Sequence, residues 1–150
     1  SGLRLRGRRV VVVGGGAVST RRVPRLLDAG ADVTLISPTA TPALDALAAD
    51  GRIAWVRRAY LDGDIRGAWY VLAQTNSPEV NARVAAEAEA SRTFCVRADD
   101  ATGGTAWTPT TMNADGVTVG VLGSRDPVRS RGVRDALLAS VRSALAQETP

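Results

Sequence analysis

The chain has 150 residues, enough for a domain with a real core, and 45% hydrophobic and 23% charged residues give it a globular composition. All 19 basic residues are Arg, against 15 acidic ones, so the net charge is +4 with no Lys and no His. These counts exclude Schiff-base lysine chemistry, a P-loop, histidine general-base catalysis and histidine metal sites, and no metal-ligand spacing appears. No apolar run approaches the ~20 residues of a bilayer span, and the N-terminus enters a strand without a signal-peptide pattern. The single cysteine, Cys95, lies in an apolar segment and is read as inert core of a cytoplasmic protein. The positive charge favours an anionic partner. Because the Arg residues are scattered and no basic stripe is interleaved with aromatics, that partner is not expected to be nucleic acid.

In chain order, Val10–Val13 is a β-branched strand that stops at Gly14-Gly15-Gly16, and a helix follows over Ala17–Ala29. This is how a buried parallel strand delivers the backbone to the pyrophosphate of a dinucleotide. Gly14 makes the turn, Gly15 and Gly16 let the backbone approach the phosphates, and Ala17 and Val18 open the helix whose N–H groups face the anion. Ser19 stands where the usual pattern has a third glycine, small enough for close helix–strand packing. Pro24 falls inside this helix and predicts a kink or an early break. Gly30 signals its end.

A second strand, Val33–Ile36, ends at Ile36-Ser37-Pro38, where the ribose-binding carboxylate belongs. No carboxylate is present there, and no Arg follows until Arg52. The residues leave NAD and NADP both open, with a tilt to NAD, and assign the ribose to backbone groups near Ile36 or to Ser37. A helix over Pro42–Ala49 and strands at Ile53–Val56 and Trp69–Ala73 come next. The last of these runs into Gln74-Thr75-Asn76, where Thr75 and Asn76 are placed to line the crevice at the carboxyl ends of the strands. Ser77-Pro78 opens a helix to Ser91, and Thr93–Arg97 is a fifth strand. Alternating strands and helices predict a parallel sheet covered on both faces.

Beyond Arg97 the texture changes. A loop over Asp99–Gly104 leads to two strand candidates, Thr105–Thr108 and Val117–Leu122, separated by the turn signal Asn113-Ala114-Asp115-Gly116. A long helix is expected over Asp126–Ala146, and the final Gln147-Glu148-Thr149-Pro150 reads as a linker. The expected fold class is α/β: a Rossmann-like parallel sheet with helices on both faces in residues 1–112, then a small strand-plus-helix region in 113–150.

Four segments, residues 11–22, 26–34, 73–81 and 94–100, resemble in order and spacing the sirohaem synthase N-terminal module, the precorrin-2 dehydrogenase and sirohydrochlorin ferrochelatase family. They read Val-Val-Val-Gly-Gly-Gly-Ala-Val-Ser-Thr-Arg-Arg, Leu-Leu-Asp-Ala-Gly-Ala-Asp-Val-Thr, Ala-Gln-Thr-Asn-Ser-Pro-Glu-Val-Asn and Phe-Cys-Val-Arg-Ala-Asp-Asp. Pro109 also falls where the family has a proline. The resemblance implies NAD as cofactor, oxidation of precorrin-2 to sirohydrochlorin and, in some members, iron insertion. It implies that Asp99 is the catalytic residue. Asp100 beside it points the other way in an extended chain. A carboxylate in a partly dry crevice is expected to have a raised pKa and to accept the proton that leaves with the hydride. The substrate is an acidic tetrapyrrole, so Arg97, Arg125, Arg129 and Arg131 are the candidates for its carboxylates. The resemblance further implies a homodimer in which the segment after the parallel sheet is exchanged between subunits, and no membrane association. The family's Gly-Gly-Thr-Ser-Pro stretch is here the shorter Gly123-Ser124-Arg125-Asp126-Pro127. A competing reading is a Rossmann module that senses NAD and regulates a partner; the absent ribose carboxylate counts against it.

Overall fold

A computed structural model describes residues 2–114, 116–122 and 127–147. The chain divides into two units, Ser1–Ala106 and Trp107–Pro150. The first contains five parallel strands: β1 (Arg9–Gly15), β2 (Asp32–Ala40), β3 (Ala54–Val56), β4 (Tyr70–Ala73) and β5 (Phe94–Arg97). Their order is β3-β2-β1-β4-β5, so the chain reverses direction across the sheet between β3 and β4, and β1 and β4 are neighbours. Ligand crevices of open parallel sheets form outside the carboxyl ends at such a reversal.

The period-two alternation of a strand explains the core. Val10 and Val12 point to one face with Val33, Leu35, Leu72 and Val96, where Val23 and Leu26 of helix α1 (Ala17–Asp28) and Leu44 of helix α2 (Pro42–Ala49) cover them. Val11 and Val13 point to the other with Ile36, Val71 and Cys95, under Val84, Ala85 and Ala88 of helix α3 (Pro78–Ala90). Both faces are therefore sealed, which is why the strands are near-continuous apolar runs. Cys95 is fully buried, and burial pushes its thiol up to about 11, consistent with an inert core residue.

Helix α1 does not break at Pro24. It runs uninterrupted from Ala17 to Asp28. Pro24 lies on the exposed side, while Ser19, Val23 and Leu26 anchor the opposite side in the core. Strand β2 is longer than its apolar stretch and continues through Pro38 to Ala40. Val13 pairs with Ile36 but Gly15 with Ala40, so Ser37, Pro38 and Thr39 bulge beside the glycine turn.

The expected strand at Thr105–Thr108 is absent. Two hydrogen bonds hold this segment to the outer edge of β5: Cys95 N–H donates to Thr105 Oγ1 at 2.9 Å, and Ala106 N–H donates to the Cys95 carbonyl at 3.0 Å. A side-chain oxygen replaces a backbone carbonyl in this pairing, so no ladder forms, yet the edge is covered.

In the second unit, β6 (Thr110–Ala114) and β7 (Val117–Val121) form an antiparallel hairpin, and helix α4 spans Pro127–Gln147. Thr110–Met112 thus belong to β6. Val117, Leu122, Val128, Val133 and Leu137 of this unit are exposed. Among the described residues no helix is long and apolar enough to cross a membrane.

Candidate nucleotide site

The three glycines differ in what they need. Gly14 has φ +109°, and a Cβ there would lie 2.5 Å from the Gln74 carbonyl oxygen, so the turn and the close approach of β1 to β4 both require glycine. A Cβ on Gly15 would lie 2.3 Å from the Thr39 carbonyl oxygen. Gly15 is further fixed by its N–H donating to Ser37 Oγ at 3.0 Å and by its carbonyl accepting from Thr41 N–H at 3.0 Å. Gly16 is unlike both: a Cβ there would meet nothing within 4 Å. It is the N-cap of α1, and no side chain caps the first turn. The helix therefore offers bare backbone N–H groups beside open space, the arrangement that receives a phosphate.

Ser19 is buried, and its Oγ donates to the Gly14 carbonyl at 2.5 Å. The hydroxyl straps the helix to the glycine turn, a role that the third glycine of the usual pattern fills by close packing alone.

A cleft of about 420 Å³ opens over this corner, walled by Gly14, Gly15 and Gly16, by residues 37–41 and by Gln74, Thr75 and Asn76. Of the residues expected here, the three glycines, Ser37, Thr75 and Asn76 come together as walls. Ile36 does not: its side chain is buried in the core cluster below, because it still obeys the strand alternation. Ala17 and Val18 are not walls either; they sit in the first turn of α1 and contribute through the backbone. Ser37 is buried, and its hydroxyl oxygen is occupied by Gly15 N–H, so it shapes the corner rather than standing free for a ribose. Sequence reasoning missed Pro38–Thr41, and it placed Gln74 in the crevice-facing segment without giving it a role. The bulge that carries the former past the end of the apolar run left no mark in the hydrophobic pattern. Gln74 had a signal, a polar residue directly after a buried strand.

Beyond the cleft wall, Asn81 is fully buried on α3. Its Oδ1 accepts from Thr75 N–H at 3.0 Å, and its Nδ2 donates to the Thr75 carbonyl at 3.0 Å and to Asp99 Oδ1 at 3.0 Å. The Thr75 hydroxyl is engaged within the same loop, accepting from Ser77 N–H at 3.2 Å. Asp99 is not itself a wall of the cleft. Its link to the wall is the Asn81 side chain. Asp100 caps a short 3-10 helix, accepting from Thr102 N–H at 2.9 Å.

Arg97 closes on Asp99, with Nη2 2.6 Å from Oδ2 and Nε 3.2 Å from Oδ1. The pair is partly shielded, its side chains 11% and 24% exposed. This corrects the expectation of a raised pKa. The Arg97 guanidinium, with a further hydrogen bond from Asn81, outweighs desolvation and holds the Asp99 carboxyl below the usual carboxylate range. Arg97 is accordingly a paired cation. Arg129 and Arg131 lie exposed on α4 of the second unit, and Arg125 lies outside the described residues. Among the described residues no group of three or more Cys, Asp or Glu side chains is arranged to hold a metal ion.

A glycine corner, an uncapped helix N-terminus and a cleft at the sheet reversal define a nucleotide-binding domain of the doubly wound class. The family model described as "Putative NAD(P)-binding" matches residues 2–110. The chain is 36% identical over 137 residues to siroheme synthase 3 of Aeromonas hydrophila, covering 91% of this chain and 29% of that protein. It is 33% identical over 118 residues to the precorrin-2 dehydrogenase of Bacillus subtilis, covering 78% of this chain and 72% of that protein. Among solved structures, SirC, a precorrin-2 dehydrogenase, superposes with a TM-score of 0.78 at 22% identity, over 93% of this chain and 69% of that one, a likeness of fold. The chain belongs to the NAD(P)-binding family that includes the Bacillus subtilis precorrin-2 dehydrogenase. It spans about 29% of the length of the Aeromonas hydrophila siroheme synthase it matches.

Proposed function

We propose that this chain oxidises precorrin-2 to sirohydrochlorin with NAD as hydride acceptor, and that Asp99 is its catalytic residue. The observation that carries this reading is the run from Thr75 through Asn81 to Asp99, which ties a carboxylate to the wall of the dinucleotide cleft. The bound nicotinamide supplies the hydride-accepting ring. The corner fits such a cofactor by the open space at Gly16 and the bare first turn of α1. With no carboxylate at residues 37–41, recognition of the adenosine ribose falls to the backbone of the bulge.

Asp99 takes the proton that leaves with the hydride. A carboxylate paired with Arg97 is a weak base. The substrate carries carboxylates of its own, and these compete for the guanidinium. As Arg97 swings to them, Asp99 loses its main charge partner and its proton affinity rises. Arg97 thus serves both as a substrate contact and as a brake on the base in the substrate's absence. Arg125, Arg129 and Arg131 are proposed as further contacts for the acidic substrate.

The second unit is proposed to form a homodimer by exchanging its hairpin and helix between subunits. Its exposed Val117, Val128, Val133 and Leu137 support this, because a hairpin and one helix leave apolar side chains unburied by themselves. The experiment is to incubate the chain with precorrin-2 and NAD and follow the visible spectrum. Sirohydrochlorin should appear with the wild type and not with Asp99→Asn. Tight NAD binding without conversion in either form would instead favour a sensing module.

A further inference from the structure

Gln74 follows β4 directly and has its backbone locked: its N–H donates to the Val13 carbonyl at 2.8 Å, and its own carbonyl packs against Gly14. Only the side chain is left to act. The residue is 6% exposed, yet neither Nε2 nor Oε1 has a hydrogen-bond partner in the protein. Polar groups buried to this degree are nearly always paired, so an orphaned amide on a residue that walls a ligand cleft calls for a partner from the ligand.

We infer that the Gln74 carboxamide binds the ribose hydroxyls on the reactive half of the dinucleotide, an inference that rests on the cofactor reading above. The amide has one face that donates and one that accepts, and both are orphaned. A phosphate offers acceptors only; it would satisfy Nε2 and set Oε1 against an anion. A vicinal diol both donates and accepts, and so completes both faces. The strand order decides which ribose. Gln74 ends β4, on the side of β1 away from β2 and next to β5, after which Asp99 stands. The half of the cofactor that lies toward Asp99 is the one that reacts.

Isothermal titration of the wild type and Gln74→Met with NAD, ADP-ribose and ADP tests this. ADP-ribose retains the second ribose without the nicotinamide, and ADP lacks both. Gln74→Met should bind NAD and ADP-ribose about tenfold more weakly and ADP within about twofold of wild type. Its thermal midpoint without ligand should match or exceed the wild type's, because an unpaired buried amide has been removed. If Gln74→Met lowers the midpoint instead, Gln74→Ala, which leaves room for water, supports the same comparison. Equal weakening of ADP would place the amide on the shared half and overturn the assignment. No change with any ligand would mean that the amide pairs with water, and would overturn it too. A wild type that binds neither NAD nor ADP-ribose marks failure of the cofactor reading itself, and the assignment falls with it.

Discussion

The Arg97 guanidinium and the Asp99 carboxylate face each other from positions two residues apart, 2.6 Å between Nη2 and Oδ2. The backbone bends at Ala98 and Asp99 directly after β5, and the ion pair closes across that bend. It sets the charge of the proposed catalytic group and makes that charge testable.

Replacing Arg97 by Gln removes the main cause of the lowered Asp99 pKa. The acid limb of kcat/KM, which reports the free enzyme, should move up toward the ordinary carboxylate range, near ~3.9. The KM for precorrin-2 should rise at the same time, since the substrate loses a cation. A pH–rate profile in which Arg97→Gln leaves the acid limb in place would remove Arg97 from control of the base.

Acid should destabilise the fold by a related route. Asp64, held by Arg58, and Asp99, held by Arg97, both have folded-state pKa values below the ordinary one. A group lowered on folding adds stability above its unfolded pKa and loses it as pH falls through the folded value. Urea midpoints should therefore be level near neutrality and fall below about pH 4. Both pairs are partly exposed, so the loss should shrink in high salt.

The glycines should separate fold from binding. Gly15→Ala drives a Cβ to 2.3 Å from the Thr39 carbonyl and should cost about 2–4 kcal/mol in urea unfolding. Gly16→Ala meets open space and should leave the urea midpoint within about 0.5 kcal/mol of wild type, yet weaken NAD binding, because the methyl occupies the place of the phosphate. Equal destabilisation by both substitutions would contradict the division of roles.

Asn81 should behave as a positioning residue. Asn81→Leu strips four hydrogen bonds from the β4–α3 loop and Asp99, and should cost about 2–4 kcal/mol. Asn81→Asp keeps the acceptor for Thr75 but sets a carboxylate against Asp99, so the acid limb of the rate should shift upward. A drop in rate with an unmoved pH profile would assign Asn81 a purely structural part.

Much of the first unit was legible in the sequence because one signal sufficed for each element. Val10–Val13 could only be a strand sealed on both faces, and the glycines after it fixed the turn. Three features needed information that a linear pattern does not hold. Pro24 breaks a local rule, but it lies on the exposed side of a helix whose opposite side is anchored in the core. Pro38 suggested an end to β2, whereas the bulge carries the strand on to Ala40. The charge of Asp99 depends on where the Arg97 and Asn81 side chains turn. The i, i+2 spacing to Arg97 was visible; the buried Asn81, arriving from another helix, was not.

The most direct measurement is a crystal structure of the chain soaked with NAD. It should show the pyrophosphate over Gly16 at the first turn of α1, the nicotinamide lying toward Asp99 and the Gln74 amide on its ribose. A nucleotide bound away from the glycine corner, or an adenine where the nicotinamide should lie, would contradict the account.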